Sequence, residues 1–265
     1  MSANEKIERL ISASGPYWAG EGEVVRTYWT SPVRTVETDL LWLSRQSFKE
    51  FWGAGPNKHD REGVFVGAIK FLHTNVAEVD VTWDRHDVLD AIEGLKSEFS
   101  HYCLFADVYD AMRPAGTPHL HPEGLESWPG EDALHAVRRG HQEKNAELGA
   151  RACKITEGGY CALFREGKAL KGKGGIDDKI ADACAAVYED EFEHMLHGIT
   201  DLGILSLSDA DFALLSEFVV EQLQYRIRMR NAQFSFPVSE ERIEAIFNGD
   251  IQPERFDYER AGLAA

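Results

Sequence analysis

Two stretches of the chain set a carboxylate and an imidazole three residues apart. SEFSHYCLF (residues 97–105) carries Glu98 and His101, and EDEFEHMLH (residues 189–197) carries Glu191 and His194. Positions three and four apart share one face of a helix. In the first stretch the stripe is Gly94, Glu98, His101, Phe105, Val108 and Met112; in the second it is Ile180, Cys184, Val187, Glu191, His194 and Gly198. Both pairs therefore point where the apolar residues point. An ionised carboxylate in an apolar interior is costly unless it is paired or bound to a cation. A Glu and a His on one turn can bind the same cation, and two such turns facing each other can bind two. The plain alternative, two buried Glu–His hydrogen bonds, leaves the repeated spacing as coincidence.

A dimetal site in a four-helix bundle also takes one Glu from each of the other two helices. Glu157 is the only acid on the stripe Ala146, Ala150, Cys153, Glu157, Tyr160 and Phe164, and it precedes Glu191 by 34 residues. That separation suits two antiparallel helices joined by the short turn GKGGIDD. Glu62 precedes Glu98 by 36 residues and shares a face with Val66, Ile69, His73 and Val76. It also sits near a helix start, where a carboxylate is favoured by the helix dipole alone. Glu37, on a stripe with Leu41, Ser44 and Phe48, is its main rival, and His73 a more distant one.

The elements that must position these residues are helical throughout. A short helix is predicted over about 3–13, followed by irregular structure in SGPYWAGEGEVVRTYWTSP. Apolar spacing predicts helices over TVETDLLWLSRQSFKEFW, from Arg61 to about Val79, and along HDVLDAIEGLKSEFSHYCLFADVYDAM. RPAGTPHLHPEG reads as a surface connection. A third long helix is predicted from Glu131 to Arg165, and a fourth from an N-cap at Asp177 to about Gly198. A fifth begins with the capping signal at Ser208, and SEERIEAIFNG forms a short last one. With no alternating strands and no internal repeat, the expectation is an all-α bundle in a single domain, residues 1–265.

The order Glu62, EFSH, Glu157, EFEH resembles the ferritin-like carboxylate-bridged dimetal superfamily, which includes rubrerythrins, ribonucleotide reductase small subunits, bacterial multicomponent hydroxylases and diiron N-oxygenases. The resemblance spans roughly residues 60–200. It implies a ferritin-like four-helix core there, with packing helices at about 3–53 and 208–248. It further implies that Glu98 and Glu191 bridge two metals, that His101 and His194 each bind one, and that Glu157 and Glu62 are terminal ligands. Carboxylates with one imidazole per metal suit iron, manganese or a mixed pair better than zinc or copper.

Open positions on the metals would activate dioxygen for a small organic substrate, with an external electron donor. Phe105 stands where the ribonucleotide reductase subunits carry a radical tyrosine, and the cysteine quartet of many rubrerythrins is missing. An oxidase or oxygenase is therefore the favoured subclass. The alternative within the resemblance is a ferroxidase or peroxide-scavenging protein without organic substrate; outside it stands a helical interaction module.

The remaining features bound the partners. A net charge of −17, from 45 acidic and 28 basic residues, argues against nucleic acid or an anionic membrane surface. Cys103, Cys153, Cys161 and Cys184 lack metal-finger spacing and read as reduced thiols. The opening MSANEKIERLISA has no targeting pattern, so a cytoplasmic protein is expected, and a homodimer is an assembly such helices allow. Gly158 and Gly159 make room beside Glu157 either for a substrate or for close helix packing. His197 reads as an outer-face residue or as support for a ligand, and Asp107, Asp110 and Asp190 are candidates to orient a metal-bound histidine. His119, His121, His135 and His141 are expected to be solvated. Arg226, Arg228 and Arg230 are expected in surface salt bridges, with an anionic substrate group as the sharper reading.

Overall fold

The structure, a computed structural model, describes residues 3–53, 64–200 and 206–261. Ten α-helices are described: α1 Ala3–Trp29, α2 Val36–Trp52, α3 Val64–Asn75, α4 Arg85–Met112, α5 Pro129–Lys144, α6 Ala146–Thr156, α7 Ala162–Lys168, α8 Gly175–Thr200, α9 Asp209–Gln233 and α10 Glu240–Phe247. Among the described residues there is no strand, one isolated bridge between Val79 and Trp83 aside. The all-α expectation is met. No helix among them is long and apolar enough to cross a membrane.

Local chemistry sets most of the boundaries. Thr35 closes a capping box with Thr38 at the start of α2, and Gly53 ends that helix with its N–H donating to Lys49 O at 2.8 Å. Asp84 accepts from the His86 N–H to start α4, and Ser208 from the Asp211 N–H to start α9.

Two expectations are corrected. The first helix does not stop near residue 13: α1 runs unbroken through Gly15, Pro16 and Gly20. A Cβ on Gly20 would lie 2.7 Å from Ile246 and 2.9 Å from Ile227, so the glycine that weakens the helix locally lets α9 and α10 close on it. Burial of Trp18, Val25 and Tyr28 outweighs the local breakers.

The helix expected from Glu131 to Arg165 is three helices. Asn145 is extended (φ −155°, ψ 105°) between α5 and α6 and caps α6 by accepting from the Leu148 N–H. Gly149 backs onto Gln142 so closely that a Cβ would lie 2.5 Å from its backbone nitrogen. After α6, Glu157–Gly159 forms a 3-10 turn, and Tyr160 and Cys161 take left-handed backbone (φ 52° and 54°) before α7. Glu157 therefore caps a helix end instead of sitting in mid-helix.

One core joins α1, α2, α4, α8 and α9 around Trp18, Tyr28, Trp42, Phe105 and Phe192. Within it α4 packs against α2 and α8, while α8 packs against α6 and α7. These contacts bring the two Glu–His turns to one region.

Candidate metal centre

Glu50 on α2 and Glu98 and His101 on α4 each place one ligand atom within 4.8 Å of the others. His101 Nδ1 lies 3.6 Å from Glu50 Oε2 and 3.9 Å from Glu191 Oε1 of α8. Its other nitrogen, Nε2, is 3.2 Å from Asp190 Oδ2, which also accepts from the Ser97 hydroxyl at 3.0 Å. With Nε2–H donated to Asp190, the Nδ1 lone pair faces the carboxylates, the arrangement in which an outer carboxylate fixes the tautomer of a metal-binding histidine. Glu50 is held from behind. Its Oε1 accepts from Gln46 Nε2 at 2.5 Å, and Gln46 Oε1 accepts from Arg230 at 3.1 Å and Gln233 at 3.0 Å.

A deep cavity of about 80 Å³ is lined by Glu50, Glu98, Glu157 and Glu191, with Phe164 and a wall of Lys49, Arg138, Arg226 and Arg230. Glu98 and Glu157 also line an outer cavity of about 520 Å³, where His194, His197 and Lys154 stand. The two cavities share the edge formed by Glu98 and Glu157. Half-buried His194 is on the outer side and buried His101 on the inner.

The electrostatics of this cluster call for a cation. Burial, then the charges of Glu50 and Glu157, push the Glu98 carboxyl up to about 8, against some relief from His101. Burial and the charges of Glu157, Glu50 and Glu98 push Glu191 well up too. For His101 burial works downward, but Glu50, Glu191 and Glu98 outweigh it and raise the imidazole to about 9. His101 Nδ1 and Glu191 Oε2 are both buried and lack any hydrogen-bond partner. An unsatisfied buried polar group costs about 1–3 kcal/mol, and more for a charged one. Two such atoms beside the Glu50, Glu98 and His101 cluster fit a metal ion.

No protein family, curated protein or solved structure matches this chain.

The sequence-predicted residues fare unequally. Glu98, His101 and Glu191 converge; Glu157 borders both cavities from an exposed position, and His194 borders the outer one. Glu62 lies outside the described residues. Its rivals are placed elsewhere: Glu37 is exposed in the first turn of α2, and His73 is exposed in the last turn of α3. The carboxylate that does arrive is Glu50, from a helix that sequence reasoning assigned to packing. The missed signal was the polar set Asp39, Gln46, Ser47 and Glu50 on the buried face of α2.

Other expectations change as well. His135 and His141 are buried: His135 pairs with Glu131 at 3.0 Å, and His141 stacks on Phe218 with ring centroids 4.0 Å apart. Of the three arginines on α9, only Arg228 is in surface pairs, with Glu240 and Glu244. Arg226 and Arg230 are buried and share Glu21 of α1 at 2.9 and 3.0 Å. Burial works to raise Glu21, but the two guanidiniums hold it below its ordinary value.

Proposed function

We propose that this chain is a ferritin-like dimetal protein and an oxidoreductase, using two irons, or manganese, to oxidise a small organic molecule with dioxygen. The observation that carries the reading is the cluster of Glu50, Glu98 and His101 ligand atoms, with His101 Nδ1 and Glu191 Oε2 buried and without a hydrogen bond beside the cavity that Glu50, Glu98 and Glu191 line. Glu50, Glu98, His101 and Glu191 would hold the inner metal, and Glu157 and His194, beside Glu98, the outer one. Two irons bound there would supply electrons and open positions for dioxygen.

The protein's own residues supply orientation and enclosure. Asp190 sets the His101 tautomer, Gln46 aims Glu50, and Phe164 closes the inner cavity with an apolar wall. Phe105, fully buried one turn beyond His101, offers no phenol for a stored radical. The cationic wall favours an organic substrate over iron storage, because a path for Fe(II) gains from acidic lining and loses from buried arginines and lysine.

The test is metal content by elemental analysis after growth with iron, set beside Glu98→Gln combined with Glu191→Gln. About two metals per chain in the parent, almost none in the variant, and reductant-dependent oxygen uptake in the parent alone are expected. A parent without stoichiometric metal rejects the reading.

A further inference from the structure

Three of the four cations beside the inner cavity are ion-paired, to two carboxylates between them. Lys49 pairs with Glu131 at 2.8 Å, and Arg226 and Arg230 share Glu21. Arg138 of α5 is different: among the described residues no carboxylate lies within ion-pair distance of it. Its Nη2 donates to Thr156 Oγ1 at 3.2 Å, which fixes the guanidinium, while its Nε is buried and without a partner. Arg138 as a whole is half-buried, with Glu131 and Glu157 acting on it only from beyond ion-pair distance, and a partly desolvated guanidinium with no carboxylate in contact favours an incoming anion.

We infer that Arg138 anchors an anion-binding subsite beside the metal centre, and that the substrate is a small organic carboxylate. The inference rests on the dimetal reading through charge balance. Two divalent ions neutralise Glu50, Glu98, Glu157 and Glu191, leaving Lys49, Arg138, Arg226 and Arg230 against Glu21 and Glu131. The surplus of two positive charges selects an anion. A planar guanidinium with no carboxylate in contact is the group best shaped to take one.

The approach to the site agrees. A second groove of about 170 Å³ shares Arg138 and Glu157 with the inner cavity and is lined also by Arg139, Cys153 and Lys154. In a chain of net charge −17, this passage carries three basic side chains and one acidic one. It draws in an anion that the rest of the surface repels. Arg138 lines both the groove and the cavity, so a carboxylate held there lies beside the candidate metal-binding glutamates.

Binding of acetate, butyrate and hexanoate, each beside its amide, would be measured by calorimetry on Fe(II)-loaded protein under nitrogen, with metal content determined on the same samples. At least one acid is expected to bind at least tenfold more tightly than its amide. Arg138→Gln should abolish that preference with metal content unchanged, and Arg138→Lys should restore part of it. A purely structural role for Arg138 would not move the acid-to-amide ratio. Loaded parent protein that shows no acid preference, or a Gln variant that keeps it, overturns the subsite while leaving the dimetal reading intact. Parent protein that takes up no metal overturns both. Should Arg138→Gln fail to fold, the parent's own ratio and that of Arg138→Lys decide.

Discussion

His101 is hydrogen-bonded at one ring nitrogen and faces the carboxylates without a hydrogen bond at the other, so its two sides are separately testable. Asp190→Asn keeps a hydrogen-bonding group but no longer enforces the tautomer. It is expected to weaken metal binding about 10–100-fold in an Fe(II) titration, with helical circular dichroism unchanged. The pH dependence follows from the crowding. Glu98, raised from 4.5 to about 8, penalises folding once it must ionise, so its contribution is fully present at low pH and is lost as pH rises toward 8. His101, raised from 6.5 to about 9, contributes below 6.5 and is lost as pH rises through 9. Both slopes run the same way. The Tm of metal-free protein should fall from about pH 5 to 9, whereas metal affinity should rise over that range because protons compete for the same atoms. A Tm that rises with pH in the metal-free protein contradicts the shared cavity. Glu98, His101 and Glu191, which converge, and Glu157 and His194, which border the cavities, were legible in the sequence because a helix repeats every three to four positions. Glu50 was not, since the spacing argument assumed that consecutive helices pair; α2 reaches α4 past the intervening α3.

At the level of elements, the breaks in the predicted third helix carry as much meaning as the helices. Gly159 has φ +50°, and a Cβ there would meet Glu21 and, at 2.5 Å, Arg226 Nε. The glycine beside Glu157 therefore makes space for the buried ion pair of α1 and α9. Gly159→Ala should destabilise the protein by about 2 kcal/mol or more, from backbone strain and a disturbed buried pair. Gly67 is the matched control: it lies in α3 with open space around its Cβ position, and Gly67→Ala should stabilise by about 0.5–1 kcal/mol. Denaturant unfolding of the two variants reads both signs. Helix existence was legible from apolar periodicity nearly everywhere. The continuity of α1 and the division of residues 129–168 were not, because each is decided by which glycine another helix rests against.

For the molecule as a whole, the candidate metal centre is tied to the N-terminal helix by a chain of buried polar contacts. Glu21 of α1 holds Arg230 of α9, Arg230 donates to Gln46 of α2, and Gln46 donates to Glu50 in the cavity. Removing one partner of a buried ion pair costs about 3–5 kcal/mol, because the remaining charge has nowhere to go. Here Glu21 serves two arginines, so Glu21→Gln leaves two buried cations short of a counter-charge. The variant should unfold at lower urea, and its inner site should also bind metal more weakly, since Arg230 no longer holds Gln46 and Glu50 in register. Metal then separates these effects. In the parent, free metal at 100 times its Kd stabilises by about 2.7 kcal/mol, a Tm rise of several degrees. In Glu21→Gln the same metal concentration should give a smaller rise from a lower starting Tm. An unchanged metal-induced rise on a lowered baseline would make Glu21 a purely structural residue and cut the link between the first helix and the site.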